Sequence, residues 1–466
     1  LFLIFMRLLG LLTLSFVILL VSCRKETFIT SPDARVIFST DTVRFDTLFV
    51  TAGSTYRTLK IINDNNQKLR LTNLRLMGGP SSAYKMNADG VAGSQFSNIE
   101  IGASDSLYVF VQVHIDPTTG NLPFIIRDSI EITYNGKTRY IQLEAWGQNA
   151  HFMRDKVIST HETWNNNLPY VILGSLVVNP NQTLTINKGC RIYVHADAPV
   201  IINGTLIVNG DVDTADRVYF RGDRLDEPYK DFPAGWPGIF FLATSRDNVL
   251  NYAVINNAYQ GIGIIDPSPN ANPKLILNEC IIDNAYDAGI IALNSSITAR
   301  NCLVSNCGKN LLLAKGGNYQ FTHCTVVTYG NRYIEHKQPV LSLSNFANGV
   351  AADLTATFRN CIFWGENGLV NNEVVVEKTG NTVFNVNFDH NLWKVQAAPA
   401  NVTSNQIINN QPPLFDSVNT FRNYYDFRLK TSSPAINKGL NTGILLDLYF
   451  HQISVCLPDL GFFEKQ

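Results

Sequence analysis

The chain has 466 residues, enough for two or three domains, and its 37 basic and 38 acidic residues leave a formal net charge of −1. That balance removes the electrostatic footprint of a nucleic-acid binder and any need for an acidic polymer as obligate partner. The chain is rich in Asn, punctuated by Gly and poor in long amphipathic patterns of helical period, which predicts a nearly all-β fold.

Residues 1–22 form the one long apolar run. With Met6 as the start, Met6-Arg7 supplies a short basic region and Leu8 to Val21 an apolar one, the pattern of a secretory signal peptide. The run closes on Leu20-Val21-Ser22-Cys23, which resembles the bacterial lipobox; the resemblance implies that Cys23 is acylated and becomes the new N-terminus. A plain transmembrane anchor is the weaker reading, because the run is short and ends on a small residue plus Cys. Arg24-Lys25-Glu26 lacks the aspartate that would resemble an inner-membrane retention signal. The expected address is therefore the outer membrane, lipid-anchored, with the folded part facing the periplasm or the cell exterior and residues 23–34 as a tether.

Over residues 35–150 short alternating runs predict strands at 43–50, 55–62, 69–76, 106–115, 129–134 and 138–145, and Tyr134-Asn-Gly-Lys137 reads as a type I′ hairpin. Six or more strands in so short a stretch suggest an antiparallel sandwich. It resembles the immunoglobulin-like modules of bacterial surface proteins, without a disulfide, since no cysteine falls in the range. Such a module implies a spacer, which would also cover the open first coil of the repeat region on its C-terminal side.

From residue 151 to 430 the sequence repeats itself. Asn278-Glu-Cys-Ile-Ile-Asp-Asn284, Arg300-Asn-Cys-Leu-Val-Ser-Asn306 and Thr322-His-Cys-Thr-Val-Val-Thr328 place Cys280, Cys302 and Cys324 at equal intervals, with Ala253 and Cys361 in register on either side. Each copy has a small apolar residue, then Val or Ile two on, then Asn four on. A unit this short cannot bury a core alone, so the copies must stack as parallel coils about 4.8 Å apart. Ala253, Cys280, Cys302, Cys324 and Cys361 then form an inward column, and Asn257, Asn284 and Asn306 an amide ladder at a turn, where Asn tolerates left-handed backbone. The run resembles the right-handed parallel β-helix, or pectate-lyase-like, repeat proteins, here in the form of a Bacteroidetes-type outer-membrane lipoprotein. Around ten coils fit up to residue 430, and the stretch Arg221 to Pro237 must leave the coil.

Residues 431–466 carry a further likeness. Ser433-Pro-Ala-Ile-Asn-Lys-Gly439 and Asp459-Leu-Gly-Phe-Phe-Glu464 are similar to the C-terminal signature of bacterial secreted β-helix proteins, which implies a cap on the final coil. Such proteins usually carry an Asp-Gly pair and an arginine between the two blocks; 447–456 has neither.

Candidate sites are few. Four of the cysteines stand in the inward column, so they read as buried thiols rather than disulfides. A zinc set of Cys302, Cys307, His323 and Cys324 fails because His323 and Cys324 are neighbours on a strand and face opposite ways. Glu279, Asn301 and His323 should stack outward as a solvated ladder. No carboxylate series like that of polygalacturonases or pectate lyases is present, so no catalytic residue, metal or cofactor is assigned. The most functional-looking stretch is the loop 221–236. There Asp223, Arg224, Asp226, Glu227, Tyr229, Asp231 and Trp236 combine carboxylates with aromatic rings suited to sugars, and Tyr259 and Tyr286 could extend an aromatic strip. A structural flap fastened to the coil by salt bridges explains the same residues. The leading functional expectation is a non-catalytic glycan-binding or scaffold protein, partnered by a polysaccharide or a surface protein. A polysaccharide lyase or glycoside hydrolase, and a structural adhesin, are the alternatives.

Overall fold

The computed structural model describes residues 27–49, 56–114, 124–226 and 228–466, so Cys23 and Glu227 lie outside the described residues. The chain divides between Asn149 and Ala150 into two compact units.

In the first unit, period-two alternation builds two five-stranded sheets. The strands are β1 (Val36–Phe38), β2 (Thr42–Phe49), β3 (Arg57–Asn63), β4 (Leu69–Leu76), β5 (Tyr84–Ala88), β6 (Val91–Ala92), β7 (Gln95–Ile101), β8 (Ser106–Val113), β9 (Phe124–Tyr134) and β10 (Lys137–Gln148). Their orders are β1-β3-β8-β5-β6 and β2-β10-β9-β4-β7. Leu59, Ile61, Val109 and Val111 on one sheet and Leu71, Leu74, Ile130 and Ile132 on the other are buried. The Tyr84 ring, 5.8 Å from that of Phe45, joins the two inner faces. Asn135 and Gly136 have φ of 44° and 75°, the left-handed pair that a type I′ hairpin needs. Two features differ from the sequence reading. Residues 84–101 contribute β5 to β7, where the alternation predicts no strand. And β2 pairs with β10 in parallel, which the sequence could not show because the whole unit lies between the two strands and serves as their crossover.

From His151 onward the strands stack on their own successors. Apart from the small antiparallel hairpin Phe346–Ala347 and Val350–Ala351, the strands from His151–Ile158 to Ile408–Asn409 belong to one 26-stranded parallel ladder, and its registers resolve three faces. Sheet I contains Val218–Gly222, Ala253–Asn256, Ile281–Asp283, Leu303–Ser305, Thr325–Tyr329 and Ile362–Glu366. Sheet II contains Val200–Ile202, Ile239–Phe241, Gln260–Ile265, 288–293 and 311–313. Sheet III contains Asn248–Asn251, Leu275–Asn278, 295–300, 317–322, Leu354–Arg359 and Phe384–Asp389. Inward Ile, Leu, Val and Phe from all three faces form one continuous core.

The cysteine column lies inside this core. Cys280, Cys302, Cys324 and Cys361 are buried free thiols, and each Sγ donates to a backbone carbonyl two residues earlier, at 3.3, 3.1, 3.4 and 3.2 Å. Burial pushes the Cys280, Cys302 and Cys324 thiols well up, which leaves them unreactive. Asn391 takes the next place in the column, where its amide accepts from the Cys361 N–H at 2.8 Å and donates to Phe358 O at 2.9 Å.

At the corner of sheets II and III, Lys274 is fully buried. Its ammonium donates to Leu242 O, Ala243 O and Ile265 O at 3.1, 3.2 and 2.7 Å. Burial pushes its pKa down to about 8, against a smaller pull from Asp266. Replacing it by Met is expected to destabilise this unit by about 2 kcal/mol, because three carbonyls lose their donor while the stem's volume is kept. A lowered urea midpoint at unchanged slope would record this; an unchanged midpoint would show that the carbonyls find other partners.

The solenoid ends earlier than the expected residue 430. Its last rungs are Thr403–Asn405 and Ile408–Asn409, after which Pro412-Pro413 removes two ladder donors. Phe415–Asn419 and Tyr424–Leu429 form an antiparallel hairpin instead. The C-terminal segment also departs from its expected role as an end cap, because it lies along the side of sheet I. The outer face of that sheet is apolar (Leu303, Val327, Ile362, Trp364, Leu392), and Phe415, Phe427, Ala435, Leu448, Leu460 and Phe462 cover it. Three buried carboxylates set the path of this strap. Asp447 accepts the N–H groups of Tyr449, His451 and Glu464, Asp459 those of Asn437 and Lys465, and Glu464 those of Ser454 and Asp459. Consequently Glu279, Asn301 and His323 are not a solvated ladder: each is buried, with Asn360 continuing the row. All four have φ between 49° and 54°, at the bend from sheet III to sheet I. Asn301 donates to Leu446 O at 2.7 Å and Asn360 to Leu440 O at 2.7 Å, so the row fastens the strap.

Candidate functional site

The flap 222–238 leaves sheet I and returns to sheet II. Its base is fixed by Trp236, which is buried rather than exposed for ligand stacking, with its indole N–H donating to Asn256 O at 2.9 Å. Trp236 also bridges to Ala258, so this end of the flap lies against the next coil as a short strand. Gly238 closes the flap at φ 128°, where a Cβ would meet Gln260 O at 1.7 Å.

Most charges in the flap are engaged internally. Asp223 bonds His195 Nδ1 at 2.7 Å, and burial raises its pKa against the pull of that histidine. Asp226 is buried and takes both prongs of Arg224, at 2.7 and 2.9 Å, while the Arg224 guanidinium lies 4.1 Å from the centre of the Tyr229 ring. Asp223 and Asp226 are thus engaged within the protein, while the Tyr229 ring stays exposed. Among the described residues no hydrogen bond or ion pair engages the Asp231 carboxylate, which faces a groove beneath the flap.

The floor of this groove is the amide ladder. Asn257, Asn284 and Asn306 have φ of 61°, 57° and 51°, the left-handed backbone expected of them. Amide-to-amide bonding along the ladder holds only for the first pair, with Asn284 Nδ2 donating to Asn257 Oδ1 at 2.8 Å. Asn306 turns instead to Asp283 at 3.3 Å and accepts the Tyr329 N–H at 3.1 Å. The first two amides also donate upward, Asn257 to Lys230 O at 2.7 Å and Asn284 to Asp231 O at 3.0 Å. Amide-to-carbonyl bonds therefore tie the flap to the coil, alongside the Asp223–His195 pair.

The remaining walls have no counterpart in the sequence reading. Loop 331–333 is shaped by Asn331, whose Oδ1 accepts the N–H groups of Tyr333 and Ile334 at 2.8 and 2.9 Å. Tyr333 reaches across to the flap, its ring centroid 5.0 Å from that of Phe232. The loop's root is held by the buried pair His336–Glu373 at 2.8 Å. Phe421, Arg422, Asn423 and Tyr425, at the tip of the 415–429 hairpin, close the groove. The sequence holds one clue to loop 331–333: the longer gap between Cys324 and Cys361 announces an insertion. Nothing announces the hairpin, which reaches the groove by folding back.

The groove has a volume of about 320 Å³. Among the described residues of its lining, Arg221, Lys230, Arg332 and Arg422 supply four cations against the two carboxylates of Asp231 and Asp283. Asp283 is committed to Ser305 Oγ at 2.6 Å and to Asn306, and burial raises its pKa. Asn256 Oδ1 and Asn423 Oδ1 are buried there without a hydrogen-bond partner. The structure does not bring Tyr259 and Tyr286 into this lining. They are exposed and stack on each other, centroids 5.9 Å apart, beside the bonded trio Gln260, Asp287 and Lys309. Among the described residues no cluster of His, Cys, Asp and Glu has the spacing of a metal site.

Similarity to known proteins is confined to the fold. No curated protein sequence matches the chain. Among solved structures, a family 123 glycoside hydrolase from Clostridium perfringens shares 10% identity at a TM-score of 0.19, over 28% of this chain and 30% of its own. The alkylpurine DNA glycosylase AlkC of Pseudomonas fluorescens shares 13% at 0.16, over 25% and 31%. The chain thus spans less than a third of the length of either. Residues 165–326 match the family model described as a right handed beta helix region. With the parallel ladder running on before and after that match, the chain from His151 to Asn409 is a right-handed parallel β-helix.

Proposed function

We propose that the groove under the flap binds a segment of acidic polysaccharide without cleaving it, on a protein held at the outer membrane through acylated Cys23 and spaced from it by an immunoglobulin-like first unit. One observation carries the reading: a polar groove with an excess of cations contains two buried amide oxygens, of Asn256 and Asn423, that lack donors. Each such oxygen costs about 1–3 kcal/mol until a donor arrives, and sugar hydroxyls are donors at the right density. The guanidinium groups of Arg332 and Arg422 suit carboxylate or sulfate substituents. Catalysis is the weaker reading because Asp283 is already bonded within the protein, which leaves Asp231 without a free carboxylate partner among the described residues of the groove.

The test uses protein lacking residues 1–22 with Cys23→Ser, titrated with uronate-bearing and sulfated oligosaccharides and assayed in parallel for reducing ends and unsaturated products. Binding should weaken with rising salt and by at least tenfold in the double variant Arg332→Ala, Arg422→Ala, with no product formed. Product lost on Asp231→Asn would replace binding by catalysis, and absence of binding would overturn the proposal. Incorporation of labelled fatty acid that Cys23→Ser abolishes would test the anchor separately.

A further inference from the structure

A second trough of about 390 Å³ lies on the outer face of sheet III, at its corner with sheet II. Its floor spans the rungs 295–300, 317–322 and 354–359, roughly 10 Å along the axis. Thr298, Asn318, Gln320 and Thr355 project from them, and among the described residues no hydrogen bond to the protein engages their side chains. One wall is the loop 267–273, which Asp247 holds: its carboxylate accepts from Asn270 at 3.0 and 2.9 Å and from Asn272 at 2.7 Å. These two amides lower the Asp247 pKa, Asn272 foremost, so the clamp stays charged and the loop is already in place before a ligand arrives. At the inner edge the chain turns inward at Ser295, which is 2% exposed.

The lining chemistry differs from that of the groove under the flap. Asp353 is the only charged residue among those lining it, and its Oδ1 accepts the Val383 N–H at 2.9 Å. Amides and hydroxyls with both donor and acceptor capacity supply most of the rest, with Pro267, Ala271, Pro273 and Gly317 between them. An acidic polymer finds no cation here, a metal ion finds no second carboxylate, and an apolar ligand would strand the amides. We infer that this trough is a separate binding site for an uncharged, hydroxyl-rich glycan, with Thr298, Asn318, Gln320 and Thr355 exchanging hydrogen bonds with its hydroxyls. The site stands independently of the flap groove.

The experiment titrates the same soluble protein with neutral oligosaccharides derived from glucan, mannan, xylan and galactan, using calorimetry and saturation-transfer NMR. At least one should bind, with affinity insensitive to salt. The double variant Asn318→Ala, Gln320→Ala should weaken it at least tenfold, and Thr355→Trp, which fills the trough from a solvent-facing position, should abolish it. Arg332→Ala in the other groove should leave it unchanged, so that failure of the acidic-glycan proposal and failure of this one are read from different variants. The inference is overturned if none of the neutral oligosaccharides binds, if binding survives both trough variants with their melting temperatures unaltered, or if short peptides bind there and glycans do not.

Discussion

Phe358→Ala is expected to lower the stability of the solenoid unit by about 3–5 kcal/mol, a loss typical of large aromatic truncations in a closed core. Phe358 is fully buried, and its ring is stacked between those of Phe321 and Phe388, at centroid distances of 5.6 and 4.8 Å, with Phe363 meeting it edge-on at 5.5 Å. The neighbouring coils are hydrogen-bonded on both sides, Phe321 through Phe358 to Phe388 in register. They therefore cannot close over the gap without breaking the ladder. Hydrogen exchange of the amides in Leu354–Arg359 and Phe384–Asp389 should accelerate by two to three orders of magnitude, about 1.4 kcal/mol per tenfold. A change of less than tenfold would show that the aromatic column repacks around the gap.

Acidification supplies the second large effect. His323 is buried between sheet I and the strap, with Nε2 facing Asn360 Nδ2 at 2.9 Å and Thr442 Oγ1 at 3.2 Å. Burial lowers its pKa from 6.5 to about 4, against smaller contributions from the backbones of Gly461 and Asp459. The unfolded chain takes up a proton near pH 6.5 while the folded protein resists it down to about 4. Stability that is full above pH 6.5 is thus lost as the pH falls toward 4, by about 3 kcal/mol for this group. Glu279, Asp459 and Glu464 on the same interface act in the opposite direction, because burial raises their pKa values. The clean measurement is the difference in pH profile between the protein and His323→Gln, which keeps donor and acceptor capacity but does not titrate. The two profiles should diverge below pH 6.5, with the variant holding its stability; superimposable profiles would refute the burial of a neutral imidazole.

The repeat from Asn251 to Cys361 was legible because one coil is one short period. Spacing alone set the inward cysteines and the left-handed asparagines, both local consequences of where a strand must turn. The groove was far less legible. Trp236 and Asp226 have the composition of a sugar site, yet burial and ion pairing use them to hold the flap. Tyr333, Arg422 and Asn423 reach the same groove only through tertiary folding. The outer row Glu279, Asn301, His323 was misread for a related reason: periodicity tells which residues point away from the core and is silent on what later chain lies over them. Net charge is silent for the same reason. A total of −1 is compatible with a groove where cations outnumber carboxylates, because charge patterning belongs to surfaces and not to sums.

The strap sets the order in which the protein can mature. Arg217 donates to Leu448 O across 231 residues of sequence, and Asn301 to Leu446 O across 145. Coils can assemble one upon another as the chain emerges, since each needs only its predecessor. The outer flank of sheet I has no such local partner, and closing it requires the most distant contacts in the unit. Until the final residues arrive, a row of Leu, Val, Ile and Trp stays open to water and to other chains. A chain cut short before residue 433 would therefore carry an almost complete rod whose flank, covered only in part by Phe415 and Phe427, stays sticky where Ala435, Leu448, Leu460 and Phe462 are missing. Loss of a few dozen terminal residues becomes a solubility defect, felt while the chain is still folding, rather than a loss of the sites themselves.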